Sequence, residues 1–255
     1  MPGTPVQPPN HPIWTDLSSP DIEASKEFYG RLFGWEAETV APPEAGTYTL
    51  FKLNGKTTAA VQTTMDGQMP PVWRAYIHTT DAAATTERAR QAGATILMEP
   101  MDVFDSGRLA FFADPTGAAI GLWEPNTMPG ADVMFEPGSL GWIELATRDI
   151  DTAKQFYKTV FGWDAKTSEG VEMPYTEWQI DGKSIAGAMP MGPQQEGVPP
   201  HWLVYFSVED PDKSSAQAQE FGGSLTVPPM DFPGGRFAIV ADPHGSNFGL
   251  MFLRS

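Results

Sequence analysis

DIEASKEFYGRLFGW at residues 21–35 returns as DIDTAKQFYKTVFGW at residues 149–163, an offset of 128 residues. The same offset relates ADPTG in the first half of the chain to ADPHG in the second half. A third pair, PPVWRAYI from Pro70 and PPHWLVYF from Pro199, keeps the order with one residue inserted. Self-similarity over nearly the whole of each half indicates a tandem duplication, so one fold should occur twice.

Within each half, the pattern of apolar residues and turn residues is typical of a strand, a helix and three strands, repeated once. Residues 21–34 are predicted to form a helix, because apolar side chains such as Phe28 and Leu32 recur at helical spacing. Asn54-Gly55 predicts a hairpin turn. The other segments predicted in the first half are a helix at residues 82–92 and strands at residues 13–18, 35–40, 48–53, 57–63, 72–79, 95–98, 108–113 and 119–123. The predicted fold class is therefore α+β, with two tandem domains that each contain a pair of β-α-β-β-β modules.

Residues that break regular structure set the expected domain limits. A proline-rich stretch predicts a flexible leader at residues 1–10, and the first domain should cover residues 11–125. The sequence NTMPGADVMFEPG predicts a linker at residues 126–138. The second domain should then cover residues 139–255.

Composition narrows the possible partners. The chain has 32 acidic and 16 basic side chains, which gives a formal net charge of −16, and both halves share the acidic excess. Such a surface repels phosphate backbones and anionic lipids, so we expect neither nucleic acid nor a membrane as a partner. The absence of cysteine excludes disulfides and thiolate chemistry. The chain is expected to be cytoplasmic, and whether it is a monomer or a homodimer stays open.

The motifs together resemble the vicinal oxygen chelate superfamily, which includes glyoxalase I, bleomycin-resistance proteins and extradiol dioxygenases. The resemblance rests on the FY-x-x-x-F-G-W run after each helix-starting aspartate, the glycines Gly93 and Gly222-Gly223, and D-P-x-G turns at Asp114 and Asp242. It implies glyoxalase-like domains in which paired modules curl into a cupped sheet around a small ligand. It also implies a two-domain branch whose members are often labelled hydroxylases, although a fold does not by itself fix a function.

The resemblance further implies where metal ligands would lie, and these positions can be compared with the sequence. Ligands would stand seven residues before the helix-starting aspartate, seven after the aspartate of D-P-x-G, and at the matching place on the fifth strand. Those positions hold Trp14, Gly121 and Arg74 in the first half and Trp142, Gly249 and Leu203 in the second. None of these side chains can coordinate a cation, and the four histidines lack short ligand spacing. We therefore expect no metal and no other cofactor.

Strand alternation identifies the candidate site residues. It places Arg74, Tyr76 and His78 on one face of their strand, which the resemblance implies is the cup. His78 is the candidate catalytic acid or base, because imidazole titrates near neutral pH, and Asp16 is its candidate partner. The candidate ligand-binding residues are Trp14, Arg74, Tyr76 and Trp123 in the first half and Trp142, Glu144, Tyr205 and Met251 in the second. A structural ion pair between Asp16 and Arg74 remains the alternative.

Two classes of function stay open. The first is a small-molecule-binding protein without the family's metal ligands, which would sequester or process an aromatic or carbonyl compound. The second is an enzyme, either a glyoxalase-type lyase or a cofactor-independent hydroxylase or oxygenase. An interaction protein that uses its acidic surface is a third reading, supported by charge alone. Because Arg74 is the fixed cation among aromatic walls, the first cup is expected to be the principal site, with an anionic or carbonyl-bearing aromatic ligand.

Overall fold

A computed structural model describes residues 7–40, 48–64, 70–168 and 174–254 of the chain. Residues 1–6 of the expected leader and the last residue of the second expected domain lie outside the described residues. Residues 7–10 of that leader are hydrogen-bonded to the folded part of the chain. Within them, Asn10 N donates to the carbonyl of His78 at 2.8 Å.

The first half forms β1 (Pro12–Ser19), α1 (Ile22–Phe33), β2 (Glu36–Thr39), β3 (Tyr48–Leu53), β4 (Lys56–Thr63), β5 (Val72–His78), α2 (Ala82–Gln91), β6 (Thr95–Val103), β7 (Gly107–Ala113) and β8 (Ala119–Pro125). The second half forms β9 (Leu140–Thr147), α3 (Ile150–Phe161), β10 (Asp164–Thr167), β11 (Thr176–Ile180), β12 (Lys183–Pro190), β13 (His201–Ser207), α4 (Pro211–Glu220), β14 (Ser224–Phe232), β15 (Gly235–Ala241) and β16 (Asn247–Leu253). None of the described helices is long and apolar enough to cross a membrane.

Each half contains one eight-stranded mixed sheet, and the two sheets have the same strand order. The first runs β2-β3-β4-β1-β5-β8-β7-β6, and the second runs β10-β11-β12-β9-β13-β16-β15-β14. In each sheet the two modules meet where their first strands pair antiparallel, β1 with β5 and β9 with β13. The predicted α+β fold of two tandem domains, each a pair of β-α-β-β-β modules, is confirmed.

The repeated aspartate and glycine of the sequence motif mark the ends of the helices. Asp21 and Asp149 are N-caps, whose side chains accept hydrogen bonds from the backbone N–H groups of Ala24 and Thr152. Gly34 ends α1 in the left-handed region at φ 73°, a conformation that glycine adopts without steric cost. The predicted helix at residues 21–34 thus includes the two cap residues, one at each end of the hydrogen-bonded helix.

One strand extends well beyond its predicted range. β6 was expected to end at residue 98, but it continues through Pro100 to Val103. β6 lies at the edge of its sheet. A proline that lacks an N–H is tolerated there, because one side of an edge strand has no hydrogen-bonding partner. The strand predicted from the sequence therefore ended too early.

The helix-covered faces of the two sheets pack into one shared apolar core. A single cluster of buried side chains contains residues from both halves. Phe206 on β13 illustrates the contact, since its ring lies 5.1 Å from Phe33 and 4.9 Å from Trp73 between centroids. The other face of each sheet carries a separate apolar cluster of its own. Each sheet thus has one face in the shared core and one face in its own cup.

Buried hydrogen bonds between the halves involve the repeated motifs. Tyr29 on α1 donates to Asp242 in the D-P-x-G turn of the second half at 3.0 Å. In return, Tyr157 on α3 donates to Asp114 in the D-P-x-G turn of the first half at 2.8 Å. The motifs that repeat in the sequence are therefore partners across the interface between the halves.

The tryptophans that follow α1 and α3 also form hydrogen bonds between the halves. Trp35 Nε1 donates to the carbonyl of Gly138, just before β9, at 2.7 Å. Trp163 Nε1 donates to the carbonyl of Asn10, just before β1, at 2.8 Å. Each half thereby fixes the backbone that enters the first strand of the other half.

Candidate functional site

The candidate sites are the two sheet faces that point away from the shared core. On β5, Trp73, Ala75 and Ile77 belong to the shared core, whereas Tyr76 belongs to the separate cluster. We call the two faces cup one and cup two. Cup one is lined by Trp14, Asp16, Tyr48, Arg74, Tyr76, Phe111 and Trp123. Cup two is lined by Trp142, Glu144, Tyr175, Leu203, Tyr205, Phe237 and Met251.

In cup one, the polar groups converge on a single carboxylate. Tyr76 Oη donates to Asp16 Oδ2 at 2.8 Å, and Tyr48 Oη donates to the same oxygen at 3.4 Å. Trp14 Nε1 donates to Tyr48 Oη at 3.1 Å. Asp16 is 2% exposed, so its charge needs these partners in place of water.

Cup two repeats this framework with a glutamate as the carboxylate. Tyr205 Oη donates to Glu144 Oε1 at 2.9 Å, and the hydroxyl of Tyr175 is a second hydrogen-bonding partner of Glu144. Trp142 Nε1 donates to Tyr175 Oη at 3.0 Å. Both cups therefore contain a tryptophan, two tyrosines and one buried carboxyl group in the same arrangement.

Arg74 distinguishes cup one from cup two. Its Nε lies 2.8 Å from Asp16 Oδ1, and its guanidinium lies 5.4 Å from the centroid of the Phe111 ring. With its amide oxygen turned toward Arg74, Gln62 accepts a hydrogen bond from Nη1 at 2.9 Å. The ion pair that the sequence left open is therefore present, and the charges of Asp16 and Arg74 compensate each other.

Leu203 takes the corresponding position in cup two. It stands opposite Glu144 in the register of β13 with β9, as Arg74 stands opposite Asp16. Among the residues that the structure describes, no ion pair involves Glu144. Burial raises the pKa of Glu144 above its ordinary value of 4.5, although hydrogen bonds from Tyr175 and Tyr205 act in the opposite direction. In the part of the chain that the structure describes, the carboxyl group of cup two thus has no cationic side chain paired with it.

His78 lies at the end of β5, and its environment differs from the predicted one. Its Nδ1 is 2.6 Å from the carbonyl oxygen of Gln7, in the segment before β1. The side-chain hydrogen bonds of Asp16 go to Tyr48, Tyr76 and Arg74. The structure therefore places His78 beside the leader segment and does not join it to Asp16 by a hydrogen bond.

The residues at the implied metal positions do not fit a metal ion. A Cβ atom on Gly121 would lie 2.5 Å from Cδ1 of the Tyr76 ring and 2.9 Å from Phe111. A Cβ atom on Gly249 would collide with the Tyr205 ring in the same way. A tyrosine ring thus fills the space that a longer side chain would need at either glycine. Within the described ranges, no three His, Asp or Glu side chains are grouped so that they could hold a metal ion.

The two cups also differ in what covers them. Trp14 is 2% exposed in cup one, whereas Trp142 is only half-buried in cup two. Linker residues Met128 and Ala131 pack against the apolar cluster of cup one, and Trp123 Nε1 donates to the carbonyl of Met128 at 2.9 Å. In the described part of the chain, the apolar side chains packed in cup two come from its own sheet. Cup one is therefore the more enclosed site.

Sequence reasoning found most of the cup residues but missed several of their partners. Tyr48 and Tyr175, which hold the carboxyl groups, were not predicted as site residues. Tyr48 alternates with core residues on β3, so the same periodicity that identified Arg74 could have identified it. Tyr175 lies just before β11, where no strand periodicity exists to place its side chain.

Comparison with known proteins gives consistent matches over the whole chain. The profile of the Glyoxalase/Bleomycin resistance protein/Dioxygenase superfamily matches residues 11–122 and again residues 139–250. A Streptomyces sp. protein named "Anthracycline biosynthesis protein DauV" is 44% identical over 96% of this chain and 94% of its own. A Mycobacterium bovis protein named "Putative glyoxylase CFP32" is 38% identical over 94% of each chain. The solved Mn(II)-bound glyoxalase from Novosphingobium aromaticivorans has a TM-score of 0.67 and 16% identity, with 95% of this chain and 81% of that chain covered.

Proposed function

The chain belongs to the Glyoxalase/Bleomycin resistance protein/Dioxygenase superfamily, and from that premise we propose that it binds a small organic molecule in its cups without a metal ion. The observation that carries the proposal is the tryptophan–tyrosine–carboxyl framework that both cups share. Aromatic rings supply contact area, and a few fixed polar groups orient a ligand. A buried carboxyl group held by two tyrosines provides such a polar group at the base of each cup.

The proposed ligand is an aromatic or carbonyl-bearing compound that the protein sequesters or processes. Aromatic walls favour flat rings by stacking and edge contacts. One relative is named for anthracycline biosynthesis and another as a glyoxylase, and these names support ligands of both kinds. The ligand-binding residues we propose are Trp14, Arg74, Tyr76 and Trp123 in cup one and Trp142, Glu144, Tyr205 and Met251 in cup two. Domain limits at residues 11–125 and 139–255, a cytoplasmic location and the absence of a cofactor stay predictions.

An enzyme is the second candidate function, and the environment of Glu144 favours it. A buried carboxyl group whose pKa is raised holds its proton at a higher pH than an exposed one. Tyr205 Oη, at 2.9 Å, could pass a proton between Glu144 and a ligand in the cup. This arrangement would suit a lyase or a cofactor-independent hydroxylase. His78 with Asp16 stays the predicted acid–base pair in cup one.

The test is a calorimetric titration of the full chain with an anthracycline as the aromatic probe, beside elemental analysis of the same sample. We expect binding that EDTA treatment leaves unchanged. Trp142→Ala and Trp14→Ala should each identify their cup by weakening the probe by about threefold to tenfold, the worth of one aromatic contact. Phe104→Ala is the matched control, since Phe104 is 79% exposed and lies in neither cup. Stoichiometric metal whose removal abolishes binding would contradict the proposal.

A further inference from the structure

We propose that cup two is the site for a ligand that carries a protonated amine beside its aromatic group, with Glu144 as the counter-charge. This inference rests on the proposed function, because it requires that the cups bind small molecules. It goes beyond that proposal in naming the cup and the charge of the ligand. It also reverses the expectation from sequence, in which Arg74 made cup one the principal site for an anion.

The charged side chains inside the two cups differ. In cup one, Arg74 is paired with Asp16 at 2.8 Å, so an anionic ligand would have to compete with an existing counter-ion. In cup two, Leu203 replaces the arginine opposite Glu144. A carboxylate at such a position is costly to ionise unless a cation arrives with the ligand. An ammonium group would supply that missing charge.

The walls of cup two are largely aromatic. Tyr205 and Phe237 form an edge-on pair with centroids 6.2 Å apart, and Phe232 lies 6.1 Å from Phe237. Trp142, Phe232 and Phe237 are each only partly buried, so their rings remain accessible to a ligand. Aromatic faces attract ammonium groups through their quadrupoles, most strongly where water is excluded. The walls therefore suit both the ring and the cation of the proposed ligand.

The two cups are covered to different extents. Cup one is bordered by the linker residues Met128 and Ala131. The apolar cluster of cup two, in the part of the chain that the structure describes, draws only on its own sheet. Within the described residues, cup two is therefore less covered than cup one.

Proton release is a consequence that can be measured. The titratable groups that face Glu144 are Tyr205 on β13 and Tyr175 before β11, and Glu177 on β11 is near Tyr175. Burial raises the pKa of Glu144, whereas an adjacent ammonium group would lower it again. At any pH where Glu144 holds its proton in the free protein, binding of an amine should therefore expel that proton into the buffer, and binding of a neutral ligand should not.

The experiment compares three probes of one shape on the full chain: 2-naphthylmethylamine, 2-naphthylmethanol and 2-naphthoic acid. Calorimetric titrations are made at several pH values from 4.5, the ordinary pKa of the Glu144 carboxyl group, upward, each in two buffers with different ionisation enthalpies. We expect the amine to bind about tenfold or more tightly than the alcohol, the worth of one hydrogen bond between charged groups. The carboxylate should bind most weakly. Only the amine should give a heat that depends on the buffer.

Two variants locate the effect. Glu144→Gln keeps the size of the side chain and a hydrogen-bond acceptor, and it should remove both the preference for the amine and the proton release. Leu203→Arg supplies an internal cation as in cup one, and it should do the same while the alcohol still binds. Glu220→Gln is the control, because it removes one carboxylate from an exposed position at the end of α4. Circular dichroism verifies that each variant is folded.

The outcomes separate the two proposals. If none of the three probes binds, the proposed function itself is contradicted. If all three bind equally, or the carboxylate binds best, cups that hold small molecules remain and the charge assignment is wrong. An amine preference that survives in both Glu144→Gln and Leu203→Arg would also overturn the assignment to cup two.

Discussion

Cup one and cup two share their hydrogen-bonding framework and differ at the position opposite the carboxyl group. In cup one, Arg74 compensates the charge of Asp16, whereas in cup two the uncharged Leu203 stands opposite Glu144. One cross-strand position thus decides whether the buried carboxyl group is paired with a cationic side chain among the described residues. The comparison teaches that a duplicated fold can contain an internal ion pair in one pocket and an uncharged side chain at the matching position of the other pocket.

The divergence inside the cups contrasts with the symmetry where the halves meet. Tyr29 with Asp242 and Tyr157 with Asp114 are matched pairs, at 3.0 and 2.8 Å. Trp35 and Trp163 donate to equivalent backbone carbonyls at 2.7 and 2.8 Å. The interface needs both copies of each motif, because each copy is a partner of the other half. The interior of a cup has no such constraint.

Removal of a buried carboxylate should have the largest effect on stability, and this large loss should occur only in cup one. Asp16→Asn leaves Arg74 partly buried without a counter-charge, and we expect unfolding free energy to fall by about 3 kcal/mol. Breaking a buried ion pair by removing one partner typically costs about 3–5 kcal/mol. We expect the low end of this range, because 23% of the Arg74 side chain is exposed. Glu144→Gln removes no ion pair and should cost less than about 1 kcal/mol. Urea denaturation of both variants measures the difference.

A double variant provides the control for this comparison. Asp16→Asn with Arg74→Leu gives cup one the charge pattern of a neutral pocket, and most of the lost stability should return, because no unpaired charge remains. Equal losses for Asp16→Asn and Glu144→Gln would show that the two cups do not differ in the way we describe.

The glycines beneath the tyrosine rings should give the next largest effect. Gly121→Ala places a methyl group against Tyr76 and Phe111, and Gly249→Ala places one against Tyr205. Overpacking of this kind typically costs about 1–3 kcal/mol. The loss should be greater for Gly249→Ala, because the added Cβ atom would lie closer to the Tyr205 ring than a Cβ atom on Gly121 would lie to Tyr76 and Phe111. Thermal melts and near-ultraviolet circular dichroism report stability and ring packing, and a larger loss for Gly121→Ala would contradict this reasoning.

Substitutions at the interface between the halves should have smaller and equal effects. Tyr29→Phe and Tyr157→Phe each remove one hydroxyl donor from a buried aspartate. Each also removes the acceptor of a buried indole N–H, that of Trp73 or Trp202. Each aspartate keeps hydrogen bonds from backbone N–H groups, for example that of Ala118 to Asp114 and that of Ser246 to Asp242. Because the indole N–H loses its acceptor while the aspartate keeps other donors, we expect a loss of about 1–2 kcal/mol for either change. Denaturant titrations that gave clearly unequal losses would show that the interface has diverged as the cups have.

The fold was accessible from sequence because its determinants are local and occur twice. The aspartate caps, the glycines that end α1 and α3, and the Asn54-Gly55 turn each act within a few residues. The end of β6 was missed, since tolerance of Pro100 depends on the edge position of that strand. The pairing of Tyr29 with Asp242 joins residues far apart in the chain, and no local pattern predicts which surfaces of two domains will meet.

The candidate site was accessible only in part. Alternation on β5 gave the face of Arg74 and Tyr76, because side chains of a strand point to opposite faces in turn. Whether Asp16 meets Arg74 or His78 depends on the cross-strand register, which places Asp16 opposite Arg74 and which the sequence alone leaves open. Tyr175 lies just before β11 and outside any strand, so no strand alternation could place its hydroxyl beside Glu144.

The smallest expected effect is a pH dependence that belongs to cup two. Burial raises the pKa of Glu144 in the folded chain above its ordinary value of 4.5, so between the two pKa values the folded state binds more protons than the unfolded state. The contribution of this group to stability is therefore complete below about pH 4.5 and is lost as the pH rises through the raised pKa. Glu144→Gln cannot titrate, and its stability relative to the parent chain should improve as the pH rises from about 4 to about 8. Urea denaturation of both chains across this range tests the sign, with Glu220→Gln as the control for loss of an exposed carboxylate. A relative stability of Glu144→Gln that instead falls with rising pH would mean that Glu144 is ionised in the folded chain, and that cup two contains a counter-charge after all.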